Sequence, residues 1–237
     1  MEGMSSMPKV DGMDMMAMLQ VKPWALIDWV MMVAMWIIMM VGMMLPSATP
    51  MILIYAGIAR KAARDGSPLS SEPSSSPLAP TAVFTAGYVV IWSLFSVAAT
   101  VAQWALDQAA LLSPMMVSTS PLLGAGLVVG AGLYQLTPFK DACLDHCRAP
   151  ARFISEHWRP GAVGAFRMGA EHGLYCLGCC WVLMGLLFFG GVMSLPWIAG
   201  LTLFVLVEKL VPVPRGGARV AGWVLIAVGL VLGWAAV

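Results

Sequence analysis

Six apolar runs, each close to the length a helix needs to cross a lipid bilayer, constrain this chain more than any motif in it. They lie near 24–45, 81–106, 121–139, 168–190, 194–211 and 218–237. About 20 mostly apolar residues span the hydrocarbon layer as a helix. A spanning segment must also satisfy its backbone polar groups internally, which a helix does. The runs therefore predict an all-α fold: a polytopic membrane helix bundle of about six transmembrane helices. The first helix is expected to be extended or broken at Pro46 and Pro50, where two backbone donors are missing. The third and fifth runs are marginal in length. The fourth and fifth are separated only by a tight turn at Met193-Ser194-Leu195-Pro196. Composition agrees: 11% of residues are charged, against about 25% in a soluble domain. A single membrane domain over 24–237 is expected, preceded by a Met-rich tail over 1–23.

The basic residues set an orientation. Eleven of the thirteen fall in three segments: Arg60, Lys61 and Arg64 after the first run, Lys140 to Arg167 between the third and fourth, and Lys209, Arg215 and Arg219 between the fifth and sixth. The positive-inside rule makes these segments cytoplasmic and both termini exterior. The membrane expected is the bacterial inner (plasma) membrane. The first apolar run is long enough to span and reads as retained rather than as a cleaved signal. A net charge of +1 argues against a nucleic-acid partner. No P-loop, dinucleotide fingerprint, G-x-S-x-G or HExxH is present, which leaves nucleotide-driven, nicotinamide and hydrolytic chemistry without support. The lipid bilayer and a protein partner in a membrane complex are the partners expected.

Between the runs, 65–80 (DGSPLSSEPSSSPLAP) reads as a Ser/Pro-rich linker. Residues 141–166 form the largest polar segment and are expected to hold a short interfacial helix, with Phe153 and Trp158 as its anchors. Gly126 and Gly130 form a small-xxx-small pair suited to close helix packing.

The chemistry concentrates on the fourth run. Within RMGAEHGLYCLGCC, His172, Cys176 and Cys179 fall at about 0°, 40° and 340° on a helix, with Cys180 at about 80°. One face thus presents an imidazole and two or three thiols. Thiolate and thioether are soft ligands that suit Cu(I), zinc and iron–sulfur chemistry, and imidazole suits copper, zinc and iron. Glu171 and His172 are ionisable groups inside an apolar run, which is costly and usually functional. The bland alternative is that the cysteines pack as small hydrophobes. Upstream, Cys143 and Cys147 are one helical turn apart with His146 between them, enough for half of a soft-metal site. All five cysteines lie in 143–180, and in a reducing cytoplasm stable disulfides are not expected.

Methionine is the second anomaly: fifteen of twenty lie in residues 1–51. On the first run Asp28, Met32, Met35, Met39 and Met43 make one narrow stripe, at about 320°, 0°, 300°, 340° and 20°. It reads either as a thioether ladder for Cu(I) or Ag(I), or as adaptable packing. Met13, Met15, Met16 and Met18 add a cluster in the tail. On the second run Thr81, Thr85, Tyr88, Trp92, Ser96 and Gln103 share one face, expected to meet other helices. Glu208-Lys209 reads as a solvated helix end, with Glu208 as a possible counter-ion.

Read together, MMVAMWIIMMVGMMLPSATPM (31–51), GYVVIW (87–92), GLYQLTPFKDACLDHCRAP (132–150) and GLYCLGCCWVLMGLLFFGGVMSLPW (173–197), followed by Glu208-Lys209, resemble a bacterial family of predicted metal-binding integral membrane proteins, a domain of unknown function. The resemblance covers about 24–211. It implies metal binding, at positions that match Cys143, Cys147, Cys176, Cys179, Cys180, Met35, Met39, Pro46 and Pro50. Ser194 departs from it, an amide side chain being expected there.

The leading expectation is a copper-handling membrane protein that binds Cu(I) through Met and Cys, either to move it or to deliver it to a partner metalloenzyme such as an oxidase or oxygenase, with zinc or iron still open as the metal. The alternatives are a subunit of a copper oxygenase or a thiol oxidoreductase, and a metal-free scaffold subunit. The metal candidates are His172, Cys176, Cys179, Cys180, Cys143, Cys147, His146, Asp28, Met32, Met35, Met39 and Met43.

Overall fold

A computed structural model describes residues 24–64, 78–112, 116, 118–211 and 215–236. The described residues are overwhelmingly helical: α1 (Leu26–Arg64), α2 (Leu78–Gln108), α3 (Pro121–Gln135), α4 (Pro138–Arg148), α5 (Pro150–His157), α6 (Gly161–Gly185), the single turn α7 (Leu187–Gly190), α8 (Leu195–Leu210) and α9 (Arg215–Ala235). The methionine cluster of the tail and most of the Ser/Pro linker lie outside the described residues.

The all-α fold is as expected, but not every boundary is. Among the described residues, three helices are long and apolar enough to cross a membrane: α1, α2 and the α6–α7 segment. The third run does not form one straight span. It ends at Gln135, and α4 leaves it at 67°. Thr137 caps the new helix by accepting from Lys140 N (3.3 Å), and Pro138 opens its first turn. Pro46 and Pro50, in contrast, sit inside α1 without ending it. Hydroxyl groups crowd the backbone there: Ser47 Oγ and Tyr88 Oη donate to the Met44 carbonyl (2.8 and 3.1 Å), and Thr49 Oγ1 donates to that of Leu45 (3.1 Å). Such side-chain donors and neighbouring helices let prolines persist in apolar helices.

Helix α6 is central. It packs along α2 on one side and receives α4 on another; α1 lies against α2 and α8. Backbones touch between α2 and α6 because glycine faces backbone. A Cβ on Gly169 would collide with the Phe84 carbonyl, and one on Gly87 with the Phe166 carbonyl. The polar stripe of α2 points inward as expected, with Tyr88, Trp92, Ser96 and Gln103 buried.

A second close pair is α3 with α9. Gly126 and Gly130, expected to make a helix contact, have open space where a Cβ would stand. The contact is made one face over: a Cβ on Gly132 would lie 2.7 Å from the Gly222 carbonyl, and one on Gly229 2.9 Å from Val129 N. The Gly126–Gly130 pair is therefore not the contact, and Gly132 on another face of α3 is. Gly126→Ala is accordingly expected to leave the unfolding temperature unchanged or higher, since alanine is the better helix former, whereas Gly132→Ala should lower it; thermal unfolding in detergent of both variants checks the contrast.

Candidate soft-metal site

The sulfur face of α6 is turned into the core. Cys176, Cys179 and Cys180 are all essentially inaccessible, as is Met168. All five cysteines are free thiols. Two of the α6 thiols donate back to the Cys176 carbonyl, Cys179 Sγ at 3.0 Å and Cys180 Sγ at 2.9 Å. Four other helices contribute to the cluster. From α1, Met44 Sδ lies 3.9 Å from Cys180 Sγ. From α2, Tyr88 Oη lies 3.0 Å from Cys176 Sγ. From α4, Cys147 packs against the buried cluster that holds Cys176, Cys179 and Cys180. From α8, Lys209 Nζ donates to Cys176 Sγ at 2.8 Å and to Ser47 Oγ at 3.3 Å.

The 67° bend after α3 is what delivers Cys147. It lays α4 across α6, with Cys143 against Gly178, where a Cβ would stand only 2.7 Å from Cys143 Sγ. Tyr134 at the end of α3 donates to the Gly178 carbonyl and fixes the approach. Both cysteines of the polar segment thus meet α6, but unequally: Cys147 joins the thiols, and Cys143 packs beside them. His146 points the other way. Its ring stacks on Tyr175 with centroids 4.1 Å apart, Nδ1 contacts the Ala142 carbonyl (2.8 Å), and it lines a cavity of about 230 Å³ with Asp145, Arg152 and Glu156. In that exposed region the Arg152 guanidinium, bonded to Glu156 at 2.8 Å, holds the Glu156 carboxyl below its ordinary range.

His172 is 3% exposed, and its Nδ1 has no hydrogen-bond partner. Its ring is enclosed by Phe84, Tyr88 and Phe153. An unpaired buried imidazole nitrogen one turn from Cys176 is costly unless something binds it. Glu171 is explained more simply, by its ion pair with Arg159 (2.8 Å). Phe153 is not an interfacial anchor: it is buried beneath His157, His172 and Tyr175.

The methionine stripe divides. Asp28 accepts from Ala25 N (2.9 Å) and so closes the first turn of α1. Met32 Sδ accepts from Gln103 Nε2 (3.6 Å), which also reaches Met116 Sδ (3.3 Å), while Gln103 Oε1 accepts from Trp36 Nε1 (2.6 Å). Met35, Met39 and Met43 instead line an apolar cavity of about 500 Å³ between α1 and α8, with Met193 on its far wall. The buried face of α1, carrying Trp36, Met40, Met44 and Met51, is rotated from the stripe by roughly 100°.

Sequence reasoning missed Met44, Tyr88 as a sulfur contact, and above all Lys209. Glu208 and Lys209 are not a solvated helix end: they are 7% and 6% exposed. The available signal was the rarity of two adjacent charges at the end of so apolar a run.

Among the described residues no three His, Cys, Asp or Glu side chains form a ready metal-binding group. The donor set is instead sulfur-rich, mixing thiols with a thioether, a combination that suits Cu(I). A family model described as copper chaperone, PpoB2, matches residues 33–232. The chain belongs to the PpoB2 copper chaperone family. No curated protein and no solved structure matches it. Membership gives this family member a copper-handling role, and the matched residues include every side chain of the sulfur cluster, from Met44 to Lys209.

Proposed function

We propose that this protein is a membrane-embedded Cu(I) chaperone. It would hold its cargo on Cys147, Cys176, Cys179 and Cys180 with Met44, and pass it to a partner copper enzyme. The observation that carries the reading is the packing of Cys147 from α4 against the cluster that holds Cys176 and Cys179, with the Met44 thioether against Cys180. Local packing preferences do not require sulfur from three helices to meet in one buried cluster. His172 Nδ1 is the nitrogen donor in reach of the same face. Cys143 belongs to the wall of the site, and His146 and Asp28 lie outside it. The Met35, Met39 and Met43 cavity is the feeding end, from which Met44 leads to Cys180. Both termini are exterior in this reading, in a bacterial inner membrane, because the basic residues cluster at the opposite ends of the helices.

X-ray absorption of the full chain, purified in detergent under reducing conditions and loaded with Cu(I), tests the reading. A first shell dominated by sulfur supports it. A shell dominated by oxygen or nitrogen, or failure to retain Cu(I) through buffer exchange, sinks it. In this scheme Met35→Leu with Met39→Leu and Met43→Leu slows Cu(I) uptake several-fold but leaves the thiol-bound copper in place, as measured by stopped-flow loading and elemental analysis.

A further inference from the structure

Helix α4 is capped as a unit of its own. The α3 helix closes on Leu136, Thr137 starts the next, and the axis turns 67° between them. The α3 side of this joint is pinned to α6 by Tyr134 on the Gly178 carbonyl. On the α4 side, Lys140 and Arg148 both make polar contacts with Glu208 of α8. Lys140, 0% exposed, forms an ion pair with the Glu208 carboxylate. Arg148 donates twice to the Glu208 carbonyl, through Nε at 2.9 Å and Nη2 at 2.6 Å. These contacts stand near the two ends of α4, and Cys147 sits beside the second of them.

The thiols differ in access. Cys176, Cys179 and Cys180 are sealed, whereas Cys147 is partly exposed. Cys147 is thus the thiol at the edge of the cluster toward the surface. The next residue after the latch, Lys209, reaches into the same cluster. Glu208-Lys209 therefore touches α4 with one side chain and the sulfurs with the other.

We propose that α4 is a hinged door that carries one copper ligand and is latched by Glu208, so that Cu(I) leaves the chaperone by way of Cys147. Resting on the copper reading above, this assigns Glu208, Lys140 and Arg148 as positioning residues for release. Swinging α4 outward withdraws Cys147 from Cys176 and Cys179 and presents it to an acceptor thiol. The copper stays Cu(I) throughout: a bond to the acceptor sulfur forms as a bond to a sealed sulfur breaks, and the proton lost by the acceptor thiol is balanced by protonation of the released cysteine.

Two measurements on the full chain test the door. In the first, a water-soluble Cu(I) chelator, bathocuproine disulfonate, withdraws copper from loaded protein. Glu208→Gln should accelerate withdrawal at least tenfold, and Arg148→Lys, which keeps the charge but loses the fork, by a smaller factor. Exchanging the pair, Lys140→Glu with Glu208→Lys, should slow it again. The second needs no copper: maleimide labelling read by mass spectrometry. In Glu208→Gln, Cys147 should label several-fold faster than in the wild type while Cys176 and Cys180 stay protected. Unchanged Cys147 labelling, or equal labelling of all the cysteines, overturns the door, because the first means no movement and the second means general loosening. A wild-type protein that binds no Cu(I) overturns the copper reading instead, and the labelling still decides the hinge.

Discussion

A chain carrying Cys176→Ser together with Cys179→Ser is expected to bind Cu(I) at least about a hundredfold more weakly than the parent, a loss of ~2.7 kcal/mol. A hydroxyl is close to a thiol in size but is a hard donor, and Cu(I) prefers soft sulfur. The fold should tolerate the change, since both side chains are small. The hydroxyl at 179 also finds the acceptor that Cys179 Sγ already uses, the carbonyl of position 176 at 3.0 Å. Competition against bathocuproine disulfonate gives the affinity, and thermal unfolding of the metal-free protein gives the control. Cys143→Ser is the useful comparison. Cys143 packs on Gly178 at the edge of the cluster, so its replacement should change the affinity by much less. Equal losses from both variants would mean that the thiols act through packing and not as ligands.

Placing valine at Gly169 is expected to have the largest effect on stability. The Phe84 carbonyl occupies the space that a Cβ would take. That atom belongs to the backbone of α2 and cannot step aside as a flexible side chain does. The helices must separate, and overpacking of this kind costs on the order of 1–3 kcal/mol, or more where nothing can relax. Gly87 meets the Phe166 carbonyl in the same way from the other helix, so the seam has no slack at either position. The damage should also reach the sulfur site. Tyr88 on α2 touches Cys176 Sγ at 3.0 Å and the Met44 carbonyl at 3.1 Å; moving α2 away from α6 breaks the first of these and disturbs the second. Thermal unfolding and Cu(I) competition should therefore fall together for Gly169→Val. Stability unchanged from the wild type would show that the α2–α6 seam is looser than the geometry here.

The sulfur face of α6 was legible in the sequence because its residues lie on one helix, where spacing alone fixes which side chains share a side. His172, Cys176, Cys179 and Cys180 needed only the 100° step. Cys147 was legible as a thiol but not as a partner, because its contact depends on a bend between two helices. The methionine stripe shows the same limit of spacing. Periodicity identified a face of α1 but not which way that face turns, and the buried methionines Met40 and Met44 lie beside it. Glu208 and Lys209 were misread because position at a helix end usually means water. Here α4 folds over that end and supplies Lys140 and Arg148.

Hydropathy and helical period are local properties, and they were enough to determine helices, an apolar bundle and a face of soft ligands on α6. Rotation of each helix about its axis, the 67° turn into α4, and the burial of Lys209 among thiols were decided only by the tertiary structure. Those features depend on where one helix backbone can approach another, at Gly169 against Phe84, Gly87 against Phe166 and Gly178 beneath Cys143. A glycine in the sequence shows that close approach is allowed; the three-dimensional packing selects which glycine is used. That selection brings sulfur from α1, α4 and α6 to one place.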